Sequence, residues 1–205
     1  MARILYVHPD NPQPRLIKQA ANAIRAGDLI VYPSDSGYAL AWSIENTKAP
    51  NTVVKIKRVD KHHHFSIICH DISQISTFAL LDNVAFRLIK KHVPGPYTFI
   101  LPATRRVPRI LQHQKRKSIG FRLPEHNVVR ALLEELDEPF MSSSLDLPDG
   151  EMHELDSQMI DDQIGHALAY IIDSGYTAIE PSTVVELLDD GPVVIREGKG
   201  EVNFV

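Results

Sequence analysis

Leu29-Ile30-Val31-Tyr32, Pro33-Ser34-Asp35-Ser36-Gly37 and Tyr38-Ala39-Leu40-Ala41-Trp42-Ser43-Ile44 follow one another without a break. The first run is short and apolar, as a buried strand would be. The second is made of turn residues, so a polar turn is expected there. The third reads as extended chain. Immediately upstream, Leu16, Ile17, Ala20, Ala21 and Ile24 recur at helical spacing. Pro12 and Pro14 open that helix, and Gly27 stands where a left-handed cap would end it. A helix feeding a buried strand, a turn and a second strand is the signature of an α/β sheet.

The same alternation runs outward in both directions. Ile4 to Val7 reads as a strand, Asn46 to Val59 as a helix and Phe65 to Cys69 as a strand. Helical patterns follow at Ile72 to Phe78 and Val84 to His92. Val93-Pro94-Gly95-Pro96 breaks the chain. Strands are expected at Tyr97 to Leu101 and Ser118 to Leu123, and a helix at Val128 to Leu136. Pro139 to Ser143 leads into a strand or loop. Asp156 to His166 reads as helical, and Ala169 to Ile172, Thr183 to Leu187 and Val193 to Ile195 as strands. The expectation is one α/β domain over 1–205, with a twisted, open, mixed and mostly parallel sheet carrying helices on both faces.

Composition excludes several classes. Of the 205 residues, 43% are hydrophobic and 23% charged, an ordinary globular balance. The net charge of −4 argues against a protein that coats nucleic acid by global charge, though not against a local basic cleft. One cysteine, Cys69, permits no intrachain disulfide and fits a reducing compartment. Met1 to Pro9 has no basic and apolar leader pattern, and no apolar run approaches the ~18 residues of a membrane span. A cytoplasmic protein is expected.

Five segments could carry chemistry. Each has a plain structural explanation when taken alone. Ser34-Asp35-Ser36-Gly37 follows a strand, where α/β sheets place ligands, but these are also turn residues. Lys55-Ile56-Lys57-Arg58 ends a helix, where cations complement the dipole. In Lys115-Arg116-Lys117-Ser118-Ile119-Gly120-Phe121-Arg122, alternation puts Ser118, Gly120 and Arg122 on one strand face. Arginine there suits a carboxylate or phosphate. Ser142-Ser143-Ser144 and Pro181-Ser182-Thr183, the latter with Ile195-Arg196-Glu197-Gly198, offer hydroxyls and another arginine. His62-His63-His64 lacks the spacing of a zinc site and reads as a solvent loop. Cys69 sits in an apolar run and reads as an inert thiol. No phosphate-binding or nucleophile motif of the common kinds is present.

Taken in order, these segments resemble the YrdC/YciO family. Tyr32-Pro33-Ser34-Asp35, Lys57, Ser118-Ile119-Gly120-Phe121-Arg122-Leu123-Pro124, Ser142-Ser143-Ser144, Pro181-Ser182-Thr183-Val184-Val185 and Ile195-Arg196-Glu197-Gly198 carry the likeness. It spans roughly Ala20 to Gly198. His8-Pro9-Asp10-Asn11-Pro12 and Ser34-Asp35-Ser36-Gly37-Tyr38-Ala39-Leu40 look closest to the YciO branch. The resemblance implies a twisted sheet with a large concave basic cleft. It also implies the activity of a threonylcarbamoyl-AMP synthase, which makes threonylcarbamoyl-AMP and pyrophosphate from ATP, L-threonine and bicarbonate, with Mg²⁺ accompanying ATP. That product serves tRNA modification. By the same resemblance, Ser34, Arg122, Ser142 and Ser182 would contact threonine, and Lys57, Ser118, Ser144 and Arg196 the nucleotide. No structural metal is implied. Members are also described as binding double-stranded RNA and tRNA, for which Lys115, Arg116 and Lys117, with Arg105, Arg106 and Arg109, are the candidates.

Two positions depart from the synthases. Their Lys-x-Arg falls on Lys57-Arg58-Val59, or on Lys55 and Lys57 in a shifted register. Their Ser-x-Asn falls on Ser144-Leu145-Asp146. An ionised carboxylate cannot donate a hydrogen bond and repels phosphate. The expectation is a nucleotide-binding protein of the YciO type with weak or altered activity. The alternative is a non-catalytic RNA-binding protein using the same cleft.

Overall fold

The computed structural model describes residues 1–59, 63–113, 115–146, 156–177, 180–188 and 191–203. Strands β1 (Arg3–Tyr6), β2 (Ile30–Ser34), β3 (Gly37–Ser43), β4 (Ser66–Ile68), β5 (Tyr97–Pro102), β6 (Ser118–Arg122), β7 (Phe140–Ser144), β8 (Tyr170–Asp173), β9 (Thr183–Leu188) and β10 (Gly191–Arg196) form one sheet. Its spatial order is β1-β8-β2-β3-β7-β4-β6-β5-β9-β10. Helices α1 (Pro14–Ala26), α2 (Ala49–Lys57), α3 (Ile72–Phe78), α4 (Asn83–His92), α5 (Asn127–Leu136) and α6 (Ser157–Ile164) lie between them in the chain.

The sheet is mixed, as expected, but parallel pairing does not dominate it. Among the described strands, β1–β8, β2–β8, β4–β6 and β5–β9 are parallel, while β2–β3, β3–β7, β4–β7, β5–β6 and β9–β10 are antiparallel. The tight turn at Asp35-Ser36 forces the β2–β3 pair to be antiparallel, because a short connection can only reverse a strand. Proline does not stop β2: Pro33 and Ser34 pair with Tyr38 and Gly37, and only Asp35 and Ser36 turn.

Strand periodicity divides the core into two layers. Val31, Leu40, Trp42, Ile67, Met141 and Ile171 point to one face, where α2, α3, α4 and α6 cover them with Val53, Ile75, Ile89 and Ile160. Ile30, Tyr32, Ala39, Ala41, Ile68, Phe140 and Ile172 point to the other, under Ile17, Ala20 and Ile24 of α1 and Val129, Leu132 and Leu136 of α5. Both helices present strongly amphipathic stripes. Gly27 caps α1 at φ 90°, a conformation that costs glycine little. Cys69 is buried, and burial pushes its thiol pKa well up, consistent with an inert core residue. No helix among the described residues is long and apolar enough to cross a membrane.

Candidate functional site

The helices α1 and α5 do not cover the whole of their face. Along that face the side chains change from apolar to small and polar as the strands leave the helices. On β7 the series is Phe140, Ser142, Ser144, and on β6 it is Ser118, Gly120, Arg122. On β4 Ser66 precedes Ile68, and on β5 and β9 Thr98 and Val184 take corresponding places. The uncovered part is a cavity of about 870 Å³. Ser36, Arg122, Ser142, Ser144, Ser182 and Arg196 line it, together with Thr98 and Gly120. Gly120 is required at the floor: a Cβ there would stand 2.6 Å from Ser66 Oγ and 3.2 Å from Thr98 Cγ2.

Arg122 anchors one end. It is buried, and its Nη2 donates to Asp35 Oδ1 at 2.6 Å and to Ser36 Oγ at 2.8 Å. Asp35 Oδ2 in turn accepts from the Glu125 amide at 3.0 Å, tying the β2–β3 turn to the end of β6. The buried Arg122 Nε has no hydrogen-bond partner among the described residues. A charged donor held this way is prepared for an incoming carboxylate. Ser34 does not line the cavity. Its hydroxyl donates to Gly37 O at 2.8 Å and lies 3.3 Å from Ser36 Oγ, one step behind the wall.

Ser142 and Ser182 face the cavity from opposite sides of Arg122's strand. Ser142 Oγ shares a 2.7 Å hydrogen bond with Tyr32 Oη, and Ser182 Oγ shares one of 2.8 Å with Thr98 Oγ1. Burial pushes the Tyr32 phenol up to about 12, although Arg122 and the Ser142 bond pull the other way, so it is a neutral hydroxyl. Arg196 reaches back to Ser182 O through Nε at 3.2 Å and Nη2 at 2.9 Å. Gly198 permits this turn, since a Cβ on it would lie 2.1 Å from Pro181 O.

At the other end Lys57, only 3% exposed, does not itself line the cavity and stands behind Ser143, Ser144 and Asp146, which do. Its Nζ donates to Ser143 Oγ at 3.1 Å, Ser144 Oγ at 3.3 Å and Asp146 Oδ2 at 3.3 Å, and lies 3.2 Å from His63 Nε2. Burial lowers the Lys57 pKa, and Asp146 opposes that shift. For Asp146, burial would raise the pKa, but the Ser144 hydrogen bond and the Lys57 charge leave it below the usual carboxylate value. Ser118 is buried, and its carbonyl accepts from the His113 amide at 2.8 Å. Its hydroxyl has no partner among the described residues, and it does not line the cavity.

Sequence reasoning missed several lining residues, among them Ser66, Thr98, His113 and Glu186. His63 and His64 are part of the cavity wall, not a solvent loop; His62 lies outside the described residues. His63 Nε2 is 3.0 Å from Ser143 Oγ, and burial and then Lys57 push its pKa down to about 4. His64 stacks on His113 with ring centroids 4.9 Å apart. Of the basic run, Lys115 and Arg116 stand on the rim and Lys117 does not line the cavity. Arg116 is committed to an ion pair with Glu186. Arg105, Arg106 and Arg109 are exposed and lie outside the wall. No cluster of three metal-ligating side chains occurs among the described residues.

Comparison with known proteins bears on the family and the fold. The Sua5/YciO/YrdC family model, described as "Telomere recombination", matches residues 22–198. The Escherichia coli K12 protein YciO is 48% identical over 98% of this chain and 98% of its own length. Its crystal structure superposes with a TM-score of 0.93, covering 99% of this chain and 98% of that one. A threonylcarbamoyl-AMP synthase of Bacillus subtilis is 28% identical over 89% of this chain, which spans 53% of that protein. The structure of P. abyssi Sua5 complexed with L-threonine is 25% identical with a TM-score of 0.85, covering 95% of this chain and 57% of that one.

Proposed function

Since the chain belongs to the Sua5/YciO/YrdC family, as a YciO-like member related more distantly to threonylcarbamoyl-AMP synthases, we propose that its cleft binds L-threonine beside an adenine nucleotide and forms threonylcarbamoyl-AMP slowly. The observation that carries this reading is the Arg122 guanidinium, buried and half-satisfied, in a wall that also presents Ser36, Ser142 and Ser182. A small zwitterion with a hydroxyl matches that set: the carboxylate takes the remaining Arg122 donors, and the serines take the polar groups beside it. The relative solved with L-threonine has the same fold over most of this chain.

The chemistry asks little of a nucleophile. Threonine and bicarbonate condense to a carbamate and water, a carbamate oxygen attacks the α-phosphorus of ATP, and pyrophosphate leaves. The protein supplies position and compensation of phosphate charge. On this reading Ser144 and Arg196 face the nucleotide, and Lys57 and Ser118 support that side from behind the wall. Mg²⁺ would arrive on the ATP phosphates, since Asp146 and Glu186 are already paired with Lys57 and Arg116. Full synthase rates are not expected, because Val59 and Asp146 replace a cation and an amide donor.

Titration calorimetry with L-threonine tests the reading: binding by the wild-type protein and none by Arg122→Ala is expected, while no binding by the wild type removes it. A second reading, double-stranded RNA or tRNA at the rim, draws on exposed Lys115, Arg116 and Lys117. It requires affinity that falls steeply with salt. The Arg116–Glu186 pair weakens it.

A further inference from the structure

Lys57 is the buried cation at the nucleotide end of the cleft, and its charge is already answered. The ammonium has three protons. Ser143, Ser144, Asp146 and His63 all stand within 3.3 Å of Nζ. Asp146 Oδ2 also accepts from Ser144 Oγ at 2.6 Å, so the carboxylate is held by two of the groups that a phosphate oxygen would use. Asp146 is not sunk in the core: its side chain is half-exposed and lines the cavity. The fixed negative charge therefore stands between the buried lysine and whatever enters.

We propose that Asp146 acts as an internal phosphate substitute, so that the cleft takes a nucleotide bearing a single phosphate, such as AMP or the AMP part of an acyl-adenylate, in preference to a triphosphate. This rests on reading the cleft as a nucleotide site. Each phosphate added beyond the first brings negative charge toward a carboxylate in a partly buried setting, where repulsion is less screened than in water. It finds no spare proton on Lys57 to offset that repulsion. A single phosphate can instead sit toward Arg196, which is held only by Ser182 among the bonds described and needs no rearrangement of the Lys57 cluster. Asp146 is thus a specificity-determining residue.

The test compares AMP and ATP binding, both with Mg²⁺, by calorimetry on the wild type and Asp146→Asn. The wild type should bind AMP at least as tightly as ATP. Asp146→Asn should tighten ATP by about tenfold or more and change AMP by less than about threefold. A thermal melt within a few degrees of wild type keeps the variant interpretable, and Asp146→Ala, which also removes the charge, should move the two affinities the same way. Tighter ATP than AMP in the wild type, or equal changes for both nucleotides in the variants, overturns the proposal. Binding of neither nucleotide by any of the proteins overturns the nucleotide reading itself, a different result from a failed preference.

Discussion

Arg122 at the end of β6 is held by Asp35 of the β2–β3 turn, an ion pair of 2.6 Å in which both side chains are nearly excluded from water. The pair joins two strands that are not neighbours in the sheet and fixes the guanidinium at the cavity wall. Removing one partner of such a pair leaves the other charged and buried. Arg122→Ala should therefore cost about 3 kcal/mol of stability as well as threonine binding. Arg122→Lys should keep most of the stability but lose threonine affinity about tenfold or more, since an ammonium lacks the planar fork. Urea unfolding and calorimetry on both variants separate the two effects; equal threonine affinity in Arg122→Lys would contradict the assigned role.

The Tyr32–Ser142 hydrogen bond gives an asymmetric prediction. Tyr32→Phe leaves the Ser142 hydroxyl free to turn toward a ligand and should cost about 1 kcal/mol. Ser142→Ala strands a fully buried phenol, costing about 1–3 kcal/mol, and removes a ligand contact. Threonine affinity should survive the first change and fall with the second, as read by parallel titrations.

Gly198→Ala places a Cβ 2.1 Å from Pro181 O and 2.7 Å from the Ser182 carbonyl carbon. Backbone cannot yield as a flexible side chain can. The Pro181–Ser182 turn must shift, and Arg196 with it. Threonine binding, through Ser182, and nucleotide binding, through Arg196, should both weaken, and a lower melting temperature should accompany them. Unchanged nucleotide affinity would detach Arg196 from the site.

The pH dependence follows from His63. Its folded pKa of about 4 lies below the usual 6.5, because burial and Lys57 disfavour the charged ring. Between those values the unfolded chain binds a proton that the folded chain does not, so stability rises with pH through that window. His64 and His126, also lowered chiefly by burial, add to the same slope. Denaturation midpoints should climb from pH 4.5 to 6.5, and His63→Gln should flatten the climb. A slope unaffected by His63→Gln would place the ring in water.

Much of the sheet could be read from the chain because its two faces are both buried. Ile30-Val31-Tyr32 and Tyr38 to Trp42 are apolar throughout, and each residue's face follows from alternation alone. Ser118, Gly120 and Arg122 were likewise placed on one face by spacing. What could not be read depends on distant partners. Lys57 looks like an ordinary helix-end cation, and only the arrival of Ser143 and Asp146 from nearly ninety residues away buries it. Asp35 has every local reason to be a turn residue, yet its carboxylate serves Arg122. The insertion of β8 between β1 and β2 leaves no local trace either.

The most direct test of the account is pyrophosphate release from ATP with Mg²⁺, bicarbonate and L-threonine, run on the wild type beside Val59→Arg/Asp146→Asn. The account predicts slow, threonine-dependent release by the wild type and a rate at least about tenfold higher in the double variant, where a cation and a donor are regained. Absence of threonine-dependent release from both proteins would contradict it.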